Sequence, residues 1–207
     1  MTARERILSA ADNLFGEVGF EAATTRQIAE ASEVNKALIH YHFESKEKLF
    51  TAVLDRYYER LNQTLLRVLA TGGGPRDRLT TLVGAYVDFL AANQNFSRMV
   101  QREASGGRLV DRIVGHMAPL FRAGVTLLEQ TYPASREGVL SAPQLLISFY
   151  GMVISYFTYS PVVAPLLGTD PLTATSLERR KQHLEQMLHL VADALVARGE
   201  AGASVQG

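Results

Sequence analysis

Cysteine is absent from the 207 residues, which excludes a disulfide framework, thiolate chemistry and the common cysteine-based zinc sites. An excess of either charge is missing too. Twenty-one Lys and Arg balance 21 Asp and Glu, so bulk charge does not mark the chain as a nucleic-acid or membrane-surface binder. Nor is there a long apolar run: the longest, Leu145 to Phe157, falls short of the roughly 20 residues that a bilayer-spanning helix needs, and it carries Ser148 and Ser155. Near the N-terminus the first apolar pair, Ile7-Leu8, is followed within a few residues by Asp12, Asn13 and Glu17, unlike a secretory leader. No segment alternates with period two, none repeats, and Gly72-Gly73-Gly74 has no lysine at phosphate-loop spacing. The Ser, His and acidic residues form no nucleophile motif. His40 and His42 lie two apart, about 200° apart on a helix, and so cannot share a metal. These absences lead to the expectation of a soluble protein with no membrane partner, no catalytic residues, no cofactor and no metal, and they permit the cytoplasmic location expected for it.

What is present is apolar side chains, 47% of the chain, set at helical spacing throughout. The pattern predicts an all-α protein of about nine helices. Ile7, Leu8, Ala11, Leu14, Phe15 and Val18 share one face of a first helix over 3–18, which Gly19 closes. A longer helix from Ser45 to about Ala70 carries Phe50, Leu54, Tyr57, Leu61, Leu65 and Val68 along about 40 Å at 1.5 Å per residue. The Gly72-Gly73-Gly74-Pro75 run then ends it. Helices are predicted over 76–93, 96–104 and 108–131, the last kinked or split by Pro119, and then over 142–159 and 175–198. The 142–159 helix is apolar nearly all round and must be covered on more than one side. With the 175–198 helix, it predicts a homodimer built on a four-helix interface. The small, polar tail 199–207 is expected to be disordered.

The most specific stretch is Thr24 to Phe43, whose spacing predicts two short helices joined by a tight turn. Thr24 and Gln27 are placed to form a capping box. Ile28, Val34, Leu38 or Ile39, and Phe43 are spaced to fill a small core beneath both helices, and Asn35 can cap the second. Outward positions then fall to Asn35, Lys36, Ala37, His40 and Tyr41, with Lys36 and Ala37 in the first turn, where a recognition helix meets base edges. Ser45 opens the next helix, with Lys46 and Lys48 beside a phosphate-sized anion site. Residues 1–60 hold eight Lys and Arg against ten Asp and Glu, so any affinity for double-stranded DNA must come from local placement.

Thr24-Thr25-Arg26-x-Ile28-Ala29, Val34-x-Lys36 and Tyr41-x-Phe43-x-Ser45-Lys46 resemble the TetR family of dimeric transcriptional regulators over about the first sixty residues. Beyond them, only helix number, length and order agree. The resemblance implies a helix-turn-helix DNA-binding domain over 1–60 and a helical ligand-binding and dimerisation domain over 61–198. It implies that Thr24, Thr25, His40, His42 and Lys46 contact phosphates of an operator, and that Arg26, Asn35, Lys36, Ala37, Leu38 and Tyr41 approach bases. It further implies repression relieved by a small apolar or amphipathic ligand. Two positions depart from the family. Glu33 replaces a turn glycine, at about 1 kcal/mol if the turn needs φ > 0, and His40 stands where tyrosine is usual.

Tyr86, Phe89, Phe96, Met99, Phe121, Phe149, Met152 and Tyr156 are more large, soft side chains than a minimal bundle requires. Arg98, Arg102, Glu103, His116 and Gln144 could supply polar groups, and with Arg102 and His116 the large side chains form the candidate ligand pocket. Arg179-Arg180-Lys181 is expected to face solvent. Two other classes compete: a helical interaction protein that has lost DNA binding, which Glu33 and the neutral charge favour, and a helical enzyme using the same cavity.

Overall fold

A computed structural model describes the chain except Thr71, Gly72, Arg108, Gln206 and Gly207, and of 202–205 it describes the backbone alone. Among the described residues there are ten α-helices and no strand. They are α1 (Ala3–Ala22), α2 (Thr25–Ala31), α3 (Lys36–Phe43), α4 (Lys46–Ala70), α5 (Pro75–Ala92), α6 (Gln94–Ala104), α7 (Val110–Thr131), α8 (Ala142–Thr158), α9 (Ser160–Leu167) and α10 (Ala174–Val205). No single helix among the described residues is long and apolar enough to cross a membrane, and α8 and α9, which together have the length, are bent by 81°.

Two compact units divide the chain, Met1–Leu61 with Asn93–Val114, and Asn62–Ala92 with Gly115–Gly207. The first therefore takes in α6, which lies beyond the boundary expected at residue 60. The reason is local packing. Phe96 of α6 lies 5.1 Å from both the Tyr57 and the Tyr58 rings, and Met99 and Val100 beside it are buried. A Cβ at Gly16 would fall 2.5 Å from the Asn95 side chain, so the glycine sets how closely α1 and α6 approach.

The centre of this unit is aromatic. Phe15, Phe20 and Phe50 meet with centroids 5.0 to 6.1 Å apart, two of the three pairs edge to face. Beside them Asp12 ties α1 to α4: it accepts from the Tyr57 hydroxyl at 2.6 and 2.8 Å and pairs with Arg56 at 3.2 Å. Burial first, and then this bond to Asp12, pushes the Tyr57 phenol well above its ordinary pKa.

The second unit is built on Leu128, Ala142, Leu145 and Leu195, with Leu79, Val125, Leu146 and Val191 packed around them. Three of its features refine or correct the sequence reading. Of the two outcomes expected at Pro119, a kink or a split, the split does not occur: α7 runs through it, since a proline removes only one backbone bond. Helix α9 occupies 160–167, a stretch whose two prolines hide it; Pro161 sits in its first turn, where the missing N–H costs nothing. Residues 199–205, expected to be disordered, continue α10, because Glu200 and Ala201 are good helix formers and no proline intervenes. The final two residues of that expected tail lie outside the described residues, as does Gly72 of the expected linker.

Removing the Asp12 carboxylate tests the clamp. Asp12→Ala leaves a half-buried hydroxyl and guanidinium without their acceptor and should cost about 2 to 3 kcal/mol, whereas Asp12→Asn, which keeps one acceptor, should cost less. Urea unfolding reads both, and unchanged midpoints would refute the clamp.

Candidate nucleic-acid interface

The motif is capped at both helix starts. Thr24 Oγ1 accepts from the Gln27 N–H at 3.2 Å, and Gln27 Oε1 accepts from the Thr24 N–H at 3.0 Å. Asn35 Oδ1 accepts from the Ala37 N–H at 2.9 Å, which starts α3 at Lys36. Ile28, Ile39 and Phe43 are buried beneath the two helices. Between the sequence alternatives Leu38 and Ile39, the fold buries Ile39 and leaves Leu38 37% exposed.

Glutamates in positive-φ turns bracket α3, Glu33 before it at φ 54 and Glu44 after it at φ 62. Glu33 thus occupies the conformation that favours glycine, and it does so while the Val34 N–H donates to the Ala29 carbonyl at 3.1 Å. At the other end the His40 Nδ1–H donates to the Glu44 carbonyl at 3.0 Å. With His40 itself exposed, that bond leaves Nε2 for another partner.

Of the residues expected to meet DNA, Thr24, Arg26, Asn35, Lys36, Ala37, Leu38, His40 and Tyr41 are exposed, Tyr41 by 80%, while Thr25, His42 and Lys46 are half-buried. His42 packs edge-on to Tyr41 at 5.0 Å. The cations are engaged unevenly. Arg26 pairs with Glu30 at 2.9 Å, and Lys48 pairs with Glu44. Lys46 Nζ donates to the carbonyls of Phe20 at 2.9 Å, Glu21 at 3.4 Å and Ala23 at 3.0 Å, and lies 4.4 Å from the Phe20 ring. The ammonium drawn in sequence as a phosphate contact is thus committed to the end of α1. Spacing could not reveal this, because the acceptors lie 23 to 26 residues away. Among the described residues of the motif, Lys36 is the cation with no intramolecular partner.

The ten residues expected to line a pocket separate. Phe96 and Met99 are core of the first unit, and Arg102 donates to the α1 carbonyls of Phe15, Gly16 and Glu17 at 3.4, 3.3 and 2.9 Å. Tyr86, His116, Phe121, Phe149, Met152 and Tyr156 are half-buried in the second unit, where Phe89 is buried outright. The basic run at 179–181 is not uniformly solvent-facing either. Arg180 is half-buried, with Nη2 donating to the Met152 carbonyl at 2.5 Å. Its place four residues before the core Leu184 was the available signal.

Two outcomes check this geometry. Lys46→Ala should lower stability by about 1 to 2 kcal/mol in urea unfolding, since three carbonyls at a helix end lose a charged donor; a pure phosphate contact would leave stability unchanged. At position 33 the order of stability should be Gly above Glu above Val. Relief of left-handed strain, less the greater entropy cost of glycine, leaves a gain of about 0.5 kcal/mol for Glu33→Gly, and Glu33→Val should lose about 1 kcal/mol. The reverse order would contradict a positive φ there.

The family described as "Bacterial regulatory proteins, tetR family" matches residues 7–53, the segment from α1 into α4. The HTH-type transcriptional repressor NicS of Pseudomonas putida is 27% identical over 156 residues, 75% of this chain and 74% of that protein. The HTH-type transcriptional activator FasR of Mycolicibacterium smegmatis is 33% identical over 97 residues, 47% of this chain and 44% of that protein. This chain therefore spans less than half of FasR. Among solved structures, the fatty acid degradation regulator FadR from Bacillus halodurans superposes with TM-score 0.72 at 18% identity, covering 91% of this chain and 95% of that one. The ketosteroid transcriptional regulator KstR2 of Mycobacterium tuberculosis gives 0.68 at 19% identity, covering 93% and 94%. These likenesses carry the fold, and the family match covers the helix-turn-helix segment: residues 7–53 form a domain of the kind described for the TetR family of bacterial regulatory proteins.

Proposed function

We propose that the protein is a cytoplasmic homodimeric repressor that holds double-stranded operator DNA through α2 and α3 and releases it when a small apolar or amphipathic ligand binds the second unit. The observation that carries the reading is the exposed face of α3, in which a capped first turn presents Lys36 and Ala37 outward with Tyr41 one turn on. In this reading Lys36 reaches base edges, Tyr41 and Leu38 lend apolar contact, and Nε2 of His40 meets phosphate. Arg26 and Lys48 exchange their glutamates for phosphates, which makes part of their contribution a replacement of existing pairs. That exchange favours a modest salt dependence.

Dimerisation by α8 and α10 is supported by what their own unit leaves uncovered. Ile147 is 55% and Leu190 64% exposed, and Gly151 has open space where a Cβ would stand. Leu184, Leu188 and Leu195 are buried within the unit, so the face left for a partner is the neighbouring one, Met187, Leu190 and Ala194. The ligand is held among the half-buried Tyr86, Phe121, Phe149, Met152 and Tyr156. Its effect on DNA is a population shift whose size is its differential affinity for the two conformations, typically about 1 to 3 kcal/mol.

Gel-shift titration against the DNA upstream of the protein's own gene tests the DNA half. Lys36→Ala should weaken specific binding by about 1 to 3 kcal/mol while sparing binding to unrelated duplex. Equal affinity of wild type and variant at every salt concentration would sink this assignment. For the dimer, Leu190→Glu should convert a two-chain species to monomer in sedimentation at micromolar concentration. A wild type that is already monomeric there would exclude the arrangement.

A further inference from the structure

Arg180 is a half-buried cation that the fold leaves without a counter-charge. Among the described residues its only hydrogen-bond acceptor is the Met152 carbonyl, its Cζ lies 5.0 Å from the Tyr156 ring centroid, and its Nε is buried with no partner. Among the described residues no carboxylate forms an ion pair with Arg180, and none figures among the influences on its charge. Glu178 and Asp88 both pair with Lys181 at 3.1 Å, Glu178 also accepts from Gln182 at 3.3 Å, and Asp170 caps the Leu172 N–H at 2.8 Å. Burial lowers the Arg180 pKa from its ordinary value, and the opposing influence comes from the Tyr156 phenol rather than from an acid.

The platform under the guanidinium is fixed. Tyr156 donates its hydroxyl to the Pro171 carbonyl at 2.9 Å, which holds the ring in place. A guanidinium over the ring face and bonded through Nη2 keeps the Nη1 hydrogens for an acceptor in the plane, where a carboxylate oxygen can accept a charge-assisted hydrogen bond. The surroundings on α8, Met152 and Tyr156, are apolar and half-buried, so the rest of such a molecule meets carbon. Withdrawing a charge from water without a partner costs free energy that an incoming anion restores.

We propose that Arg180 is the anion-recognition group of the second unit, and that the molecule it takes is an amphipathic carboxylate whose head sits on the free guanidinium edge with its apolar body against Met152 and Tyr156. The inference rests on the reading that this unit binds a small molecule, and it names the class of that molecule.

The test uses the full-length protein and a panel of hexanoate, decanoate, palmitate and phenylacetate, each with its uncharged alcohol and methyl ester, in calorimetric titration below micellisation. At least one acid is expected to bind wild type tenfold or more tightly than its alcohol and ester, and Arg180→Gln is expected to remove that preference. Arg179→Gln, on the exposed neighbour, should retain it. Failure of the whole panel, equal binding of acid and ester, or an acid preference that survives Arg180→Gln overturns the proposal. The acid-against-ester comparison in wild type stands even if the variant does not fold. Weakened dimerisation in Arg180→Gln with undiminished carboxylate affinity would assign the guanidinium to an acid of the partner subunit and overturn it as well. Arg180-dependent binding that leaves operator affinity unchanged supports the site and refutes the ligand switch.

Discussion

The end of α1 leaves carbonyl oxygens that its own helix cannot satisfy, and two cations from elsewhere in the chain satisfy them. Gly19, at φ 84, breaks the hydrogen-bond ladder; Arg102 then takes the carbonyls of residues 15, 16 and 17, and Lys46 those of 20, 21 and 23. Both bring a positive charge to the negative end of a helix, so hydrogen bond and dipole act together. The origin of Lys46 ties the helix-turn-helix to α1. Lys46 is the first residue of α4, two positions after the turn that closes α3, and Ala23, whose carbonyl it holds, precedes the Thr24 cap of α2. One ammonium therefore fixes the start of α2 and the end of α3 against the same helix.

Charge placement is what a DNA-facing surface on a neutral chain, as proposed, would rest on. Glu30 and Glu44 neutralise Arg26 and Lys48 at i, i+4 spacing, and the α1 carbonyls absorb Lys46. Exposed pairs of this kind contribute little to stability, and they are readily exchanged for phosphate. What remains in the motif is Lys36, with Arg4 of α1 against the Phe43 ring. Such a surface gives weak attraction to arbitrary duplex and leaves discrimination to the base-facing side chains.

Much of this was readable in sequence, because local rules decide it. The capping box at Thr24 and the Asn35 cap each depend on residues within a few positions, and each stands in the structure as spacing and residue type imply; Gly19 interrupts α1 at φ 84, ψ 171 instead of closing it, since the helix resumes to Ala22, and the positive φ of Glu33 meets the condition that the family resemblance set for that turn. The features that were not readable depend on distant partners. Lys46 and Arg102 resemble any surface cation until α1 is placed beside them, and Phe96 looks like a pocket residue until Tyr57 and Tyr58 enclose it. Helix α9 was hidden by its prolines, and Arg180 by two basic neighbours that imitate a solvated run. In each case the missing information was the three-dimensional neighbour.

The central claim is that α3 reads duplex DNA from a two-fold dimer, and hydroxyl-radical footprinting of the wild-type protein on its bound upstream fragment tests it most directly. Two recognition helices in successive major grooves predict two protected patches related by a dyad, with centres one helical turn of about 34 to 36 Å apart or a multiple of it. A single unpaired patch, or protection that spreads evenly along the fragment regardless of sequence, would contradict the account.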